Sequence, residues 1–164
     1  MTSDDIRKSI RKKFGDSRRY AVVDEVGVCT GFTETWDSPR RIDMMVLDCF
    51  RSNDFYIEGI EIKISKSDLK RELNDPEKHE VFFQYIDGYT IAAPTELLKE
   101  MKDLIPEEWG LLGINEATFE ARYIRRPDNL TDWIDRKTVD RGFFASVVRS
   151  VVNQVGREIK NEQW

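Results

Sequence analysis

The stretch RIDMMVLDCFRSNDFYIEGIEIK, residues 41–63, decides the fold, because it holds two predicted strands joined by a polar turn. In the second strand isoleucines alternate with Glu61 and Lys63, so the two charged side chains share one face. If RSND at 51–54 closes an antiparallel hairpin, Asp43 lies opposite Glu61 with roughly 5 Å between their Cβ atoms. This register predicts two facing carboxylates, with a lysine two residues further on.

Two facing carboxylates repel each other, and a divalent cation bound by oxygen ligands is the usual compensation. The pattern of Asp43, 17 intervening residues, Glu61 and Lys63 therefore predicts a metal site. The alternative is a solvated strand face with an ordinary salt bridge, since Glu-x-Lys triplets are common. The isoleucine-rich strand around the triplet favours the site, because a surface ion pair is less expected there.

The sequence around and after this triplet resembles one nuclease family. The segments EIKISKSDLKRELNDPEKHEVFFQYIDGYTIAAP, residues 61–94, and LIPEEWGLLGI, residues 104–114, are similar to the MmcB-like DNA-repair branch of the PD-(D/E)xK superfamily. The likeness covers roughly residues 20–115. It departs from the family pattern at Ile42, which stands where the family name has a proline before the aspartate.

The resemblance implies a restriction-endonuclease-like core that hydrolyses DNA phosphodiester bonds with Mg²⁺ or Mn²⁺. By the same resemblance, Asp43, Glu61 and the backbone carbonyl of Ile62 would bind the metal, and Lys63 would orient the attacking water. Many relatives add an upstream acidic residue, often a glutamate on the first helix. The predicted first helix has no glutamate, so Glu25 is the candidate third ligand, with a surface glutamate at a strand end as the alternative.

Basic residues near these strands are candidate DNA contacts: Arg40, Arg41, Lys66, Lys70 and Lys78. The arginines lie where a polar loop leads into the Asp43 strand, and the lysines lie on the helical segments that follow the triplet. Residues 1–20 add seven Lys and Arg against three Asp. That excess predicts either a phosphate-facing helix or a solvated helix face with salt bridges.

Length and composition are typical of one globular domain, which we expect to span residues 1–164. The chain is 40% hydrophobic with a net charge of −5, and it lacks a long apolar run, which predicts a soluble, cytoplasmic protein without a membrane span. One histidine, and two cysteines outside a Cys-x-x-Cys spacing, provide no zinc ligand set. No Walker loop or dinucleotide-binding glycine motif occurs, so ATP- or NAD-dependent chemistry has no support.

Hydrophobic periodicity predicts an α/β fold with a mixed β-sheet flanked by helices. The first helix should begin at a capping box of Thr2 and Asp5 and bury Ile6, Ile10 and Phe14. The last helix, about 140–161, carries a broad apolar stripe: Phe144, Val147, Val148, Val151, Val152, Val155 and Ile159. The breadth of this stripe predicts packing on the sheet, or alternatively that part of the stripe is a homodimer face.

These patterns lead to a principal hypothesis, a metal-dependent DNA endonuclease or DNA-repair nuclease. One alternative is a non-catalytic nucleic-acid-binding module that retains the nuclease fold. Another is a protein-interaction domain in which Glu61 and Lys63 form an ordinary salt bridge. Facing carboxylates favour the enzyme, whereas the net negative charge favours the interaction domain.

Overall fold

The computed structural model describes residues 1–15, 18–27, 41–75, 82–130 and 141–162. Two of the predicted DNA contacts, Arg40 and Lys78, lie outside these ranges. The helices are α1 (Ser3–Lys13), α2 (Lys66–Leu73), α3 (Thr95–Met101) and α4 (Arg141–Glu162). The strands are β1 (Tyr20–Gly27), β2 (Arg41–Asp48), β3 (Ile57–Ile62), β4 (Gly88–Pro94), β5 (Gly110–Ile114) and β6 (Ala121–Arg125).

Within these ranges the strands form a six-stranded sheet whose spatial order is the order of the sequence. The first three strands are antiparallel neighbours, β3, β4 and β5 are parallel, and β6 returns antiparallel to β5. The connections from β3 to β4 and from β4 to β5 step along the sheet in the same direction. Crossovers of one hand then leave α2 and α3 on the same face. The predicted α/β class with a mixed, helix-flanked sheet is confirmed.

The two faces of the sheet have separate apolar cores, because successive residues of a strand point to opposite sides. On one side, which we call the α1 face, Ile10 of α1 packs with Ile60 of β3. On the other, which we call the α2 face, Leu69, Leu98 and Phe143 come from α2, α3 and α4. All seven residues of β4 are buried, because β4 has a neighbouring strand on either side and an apolar core on both faces.

Local hydrogen bonds explain where the first two helices begin. In the predicted capping box the Thr2 side chain accepts from the Asp5 N–H at 3.2 Å, and the Asp5 carboxylate accepts from the Thr2 N–H at 2.8 Å. At the start of α2 the Ser65 hydroxyl accepts from the Asp68 N–H at 3.2 Å. These bonds satisfy backbone donors that a helix leaves unpaired at its N-terminus.

The last helix packs on the sheet by a narrower side than the sequence predicted. Phe143 is buried and Val147 packs against the core, while further along Ser150 and Gln154 hydrogen-bond to the β1 backbone. The remaining described apolar residues are 40–63% exposed and form what we call the α4 stripe: Phe144, Val148, Val151, Val152 and Val155. The predicted packing of the whole stripe is wrong, because the side of α4 that carries Phe143, Val147, Ser150 and Gln154 faces the sheet and most of the stripe faces outward. The described part of the chain includes no helix with the length and apolar character needed to cross a membrane.

Candidate active site

The β2–β3 hairpin has the register that the sequence predicted. Met44 pairs with Ile60, so Asp43 comes at the position facing Glu61. The Asp43 carboxylate accepts a hydrogen bond from the backbone of Ile62, with 2.8 Å between Oδ2 and N. This bond holds the aspartate against the peptide that follows Glu61, so the two acids lie on neighbouring strands at the same level of the sheet.

Lys63 lies between two buried acids. Its Nζ is 2.9 Å from Oε1 of Glu61 and 2.6 Å from Oε2 of Glu72, and only 11% of its side chain is exposed. Tyr89 donates its hydroxyl to the other oxygen of Glu72 at 3.1 Å. Buried ion pairs persist where further hydrogen bonds satisfy the remaining oxygens, and Tyr89 does this for Glu72. The four side chains therefore form a buried hydrogen-bonded chain on the α2 face.

Glu72 and Tyr89 were missed by sequence reasoning. The signal for Glu72 is its helical position three residues after the buried Leu69 and one before the half-buried Leu73. A glutamate on the apolar side of a helix that directly follows a Glu-x-Lys strand indicates a buried partner for that lysine. Tyr89 gives no such signal, because an aromatic residue in an apolar strand is ordinary core.

The acids of this cluster also fix the protonation state of Tyr89. Burial raises the pKa of Tyr89 well above its ordinary value, and the negative charges of Glu61 and Glu72 raise it further. Asp43 contributes in the same direction, as expected if it belongs to the same electrostatic cluster. Tyr89 consequently remains a hydrogen-bond donor to Glu72 at neutral pH.

Arg7 of α1 hydrogen-bonds to Asp43 of β2. Its guanidinium donates to the Asp43 backbone carbonyl at 2.8 Å and to the carboxylate Oδ1 at 3.2 Å. The same guanidinium lies 3.8 Å from Asp24, which Arg11 binds at 2.6 Å. For Arg7 and Arg11, the predicted salt-bridged helix is therefore the observed arrangement, and a cation already compensates the charge of Asp43.

The structure directs Glu25, the candidate third metal ligand, toward α4. Its carboxylate binds Arg157 at 3.1 Å and its backbone carbonyl accepts from the Ser150 hydroxyl at 3.1 Å. Its backbone has φ 53°, the left-handed region that non-glycine residues rarely adopt, and this interrupts the regular alternation of β1. Among the residues that the structure describes, no three His, Cys, Asp or Glu side chains are grouped as a metal site.

The donor chemistry of the hairpin nevertheless fits a small divalent cation. Asp43, Glu61 and the Ile62 carbonyl offer oxygen ligands, and Mg²⁺ is commonly held by one or two carboxylates together with water. The Asp43 carboxylate is 31% exposed, which leaves it accessible to an ion from solvent. A metal would compete with Arg7 for Asp43 and with Lys63 for Glu61.

The remaining predicted DNA contacts lie at the surface. Arg41, at the start of β2, and Lys70, on α2, are exposed. Lys66 forms a salt bridge with Glu100 of α3, and the Lys66 side chain is 56% exposed. The start of β2 and the helix α2 thus place basic residues close in sequence to Asp43 and to the buried cluster. Comparison of the chain with protein-family models, with curated proteins and with solved structures gave no match.

Proposed function

We propose that this protein is a metal-dependent DNA nuclease with a restriction-endonuclease-like core. The observation that carries the proposal is the hairpin register, which sets Asp43 against the Ile62 peptide beside Glu61 and Lys63. The order of one helix, three antiparallel strands, a helix and a parallel strand supports it. The resemblance in the segment 61–94 supports it independently of the geometry.

In this proposal Asp43, Glu61 and the Ile62 carbonyl hold Mg²⁺ or Mn²⁺. The bound ion would supply an activated water and stabilise the negative charge that develops on the phosphodiester. Lys63 orients the attacking water and offsets developing charge. Its ammonium has three N–H donors, and Glu61 and Glu72 accept from two of them at 2.9 and 2.6 Å. These two bonds fix the direction of the third N–H.

Titration calorimetry with Mn²⁺, combined with nicking of supercoiled plasmid by the same samples, tests the proposal. Wild type should bind Mn²⁺ and nick the plasmid, and Asp43→Asn should lose both. Lys63→Ala should retain metal binding and lose most cleavage, because lysine is not a ligand. The matched controls are Asp103→Asn and Lys99→Ala, which remove exposed charges on the segment after β4 and should change neither property.

Two results would count against the nuclease. If wild type neither binds Mn²⁺ nor nicks DNA, the proposed nuclease activity is excluded. If Lys63→Ala cleaves like wild type, the role assigned to the lysine is excluded. Equal loss of cleavage in the two control variants would indicate a general effect of charge instead.

A non-catalytic module with the same fold is the second candidate, and a specific observation favours it. Asp43 and Glu61 already have cationic partners, Arg7 at 3.2 Å and Lys63 at 2.9 Å, so each acid is paired without a metal. Binding to DNA that weakens steeply with salt, without cleavage under Mg²⁺ or Mn²⁺, would select this candidate.

A further inference from the structure

A polar pocket, which we call the second pocket to distinguish it from the candidate active site, lies on the α1 face. Glu58 and Glu61 are three residues apart on β3, so their side chains point to opposite faces of the sheet. The pocket has a volume of about 420 Å³, within the range of small-molecule sites. Around Glu58 its walls include the aromatic residues Phe14, Tyr20, Tyr56 and Tyr123.

The floor of this pocket is a buried carboxyl group. Glu58 is 6% exposed, and its Oε1 accepts from the Thr90 hydroxyl at 2.5 Å. The Tyr123 hydroxyl lies 2.7 and 2.6 Å from the two carboxyl oxygens. Burial raises the pKa of Glu58, while the hydrogen bonds from Thr90 and Tyr123 oppose that rise. A carboxyl group fixed this way can accept a hydrogen bond from a ligand without first reorganising.

Two glycines allow the polar groups to come this close. A Cβ on Gly88 would lie 2.1 Å from the Tyr56 hydroxyl, and one on Gly110 would lie 2.2 Å from the Thr90 hydroxyl. Any larger residue would therefore displace Tyr56 from the pocket wall or Thr90 from Glu58. The shape of the pocket depends on these two backbone positions.

Two cations line the pocket, and Glu58 is the acid that interacts electrostatically with both. Lys13 and Arg126 lie 5.0 and 4.9 Å from the centre of the Tyr123 ring. Across the ranges described, neither forms a salt bridge, whereas Arg19 on the same pocket wall binds Asp48 at 2.9 Å. Burial lowers the pKa of Lys13, and repulsion by Arg126 lowers it further. An anion bound between Lys13 and Arg126 would relieve this repulsion.

We propose that this pocket binds a nucleotide, with the phosphate at Lys13 and Arg126 and the base within reach of Glu58. The aromatic walls offer stacking surfaces that suit any base. A buried carboxylate accepts hydrogen bonds from the amino or ring N–H groups of a base edge, as acidic side chains do in DNA recognition. The nucleotide is either a free mononucleotide or one unit of a DNA strand, since both carry the same base and phosphate.

Titration calorimetry with the full chain tests this site. The probes are the four deoxynucleoside 5′-monophosphates, the matching nucleosides and inorganic phosphate. At least one monophosphate should bind, and its nucleoside and inorganic phosphate should bind about tenfold more weakly or not at all. Arg126→Gln and Lys13→Gln should weaken monophosphate binding about tenfold each. Lys99→Gln, which removes the same charge from an exposed position of α3, should have no effect.

The nature of the ligand and its source are read from the same titrations. Glu58→Gln should change the order of affinity among the four bases, because an amide offers a donor where the carboxylate accepts. If a mononucleotide binds more tightly than a short single-stranded oligonucleotide, the ligand is a free mononucleotide. If the oligonucleotide binds more tightly, the ligand is one unit of a DNA strand. Both results support a nucleotide site.

The proposal fails if no monophosphate binds, or if inorganic phosphate binds as tightly as the nucleotides. It also fails if binding survives Arg126→Gln but disappears in Lys63→Ala, because the nucleotide then occupies the candidate active site. Binding that persists in Lys63→Ala keeps this inference separate from the proposed nuclease, which can fail without affecting it.

Discussion

Glu72 holds Lys63 from the side opposite Glu61, and this makes the lysine a positioned group rather than a mobile one. A lysine on a four-carbon stem loses considerable rotamer entropy when it is fixed. Here the contacts of Nζ with two acids, at 2.9 and 2.6 Å, offset that entropy loss. In the proposed nuclease, the direction of Lys63 toward a substrate would therefore depend on Glu72, which itself would touch neither metal nor DNA.

If the nuclease proposal holds, Glu72→Gln should lower kcat for cleavage by about tenfold while leaving KM and Mn²⁺ affinity near wild type. Glutamine keeps an acceptor for Tyr89 but removes the negative charge beside Lys63. Steady-state kinetics and titration calorimetry measure these quantities. Glu72→Asp, which retains the charge, should recover part of the loss. A normal kcat in Glu72→Gln would show that Glu61 alone positions the lysine.

Glu58 gives a prediction about pH. Its folded-state pKa is raised above the ordinary value of 4.5, so the folded chain holds this proton more tightly than the unfolded chain. The stability that it contributes is full below pH 4.5 and is lost as pH rises through the folded pKa. In Glu58→Gln this loss is absent, so the free energy of unfolding should increase relative to wild type as pH rises.

Urea denaturation at stepped pH measures the difference between Glu58→Gln and wild type. Glu96→Gln is the control, because Glu96 is 77% exposed and its replacement should give a nearly constant difference. A constant difference for Glu58→Gln would mean that Thr90 and Tyr123 fully offset the effect of burial.

At this scale the sequence predicted the hairpin residues and missed their partners. Asp43, Glu61 and Lys63 follow from strand alternation and hairpin register, which are local rules. Arg7 and Glu72 lie on helices, and their contacts depend on how α1 and α2 dock on opposite sides of the sheet. No local pattern fixes that docking, so the sequence does not distinguish a phosphate-facing first helix from one with salt bridges and does not identify Asp43 as the partner of Arg7.

At the scale of elements, α1 matters because it carries Arg7 to Asp43 and Lys13 to the second pocket. Its N-terminus is held by the reciprocal bonds of Thr2 and Asp5. Burial of Ile6 and Ile10 then anchors the helix on the sheet, with both side chains at 0% exposure. Anything that frays its first turn acts on the helix that reaches both sites.

Thr2→Ala should lower the free energy of unfolding by about 1 kcal/mol, because the Asp5 N–H loses its acceptor. Urea denaturation followed by circular dichroism measures this change, and the slope with denaturant should stay constant. Ser52→Ala, at an exposed position in the β2–β3 turn, is the control. Equal stability of Thr2→Ala and wild type would show that water replaces the cap.

The last helix shows what a periodic pattern cannot determine. Seven apolar residues at helical spacing predict an amphipathic helix, and the helix exists. Which side faces the sheet is set by Phe143, Val147, Ser150 and Gln154, whose spacing of four, three and four is equally helical. On this side Ser150 donates to the β1 backbone and Gln154 accepts from it. An apolar pattern in the sequence gives no information about such polar contacts.

At the scale of the whole molecule, we propose the α4 stripe as the surface for the homodimer that the sequence suggested. Val152 is 63% exposed, and Phe144 at the start of the stripe is equally exposed. Sedimentation velocity should show a dimer for wild type and a monomer for Val152→Asp, because a charge in an apolar interface is costly to bury.

Leu104→Asp is the matched control for this prediction, since Leu104 is 60% exposed and lies outside α4. It should leave the dimer intact. A monomeric wild type at all concentrations, or dissociation by Leu104→Asp and Val152→Asp alike, would remove the homodimer from consideration.

The sequential order of the strands has a consequence for how the chain reaches its native state. Each strand pairs with the strand next to it in sequence, so no pairing has to wait for a distant part of the chain. Within this order an antiparallel hairpin closes a short loop at low entropic cost, whereas the parallel pairs β3–β4 and β4–β5 have to close around α2 and α3. The β2–β3 hairpin closes one of the shortest of these loops. Asp43 and Glu61 are therefore expected to meet early in folding, before α4 has docked on β1.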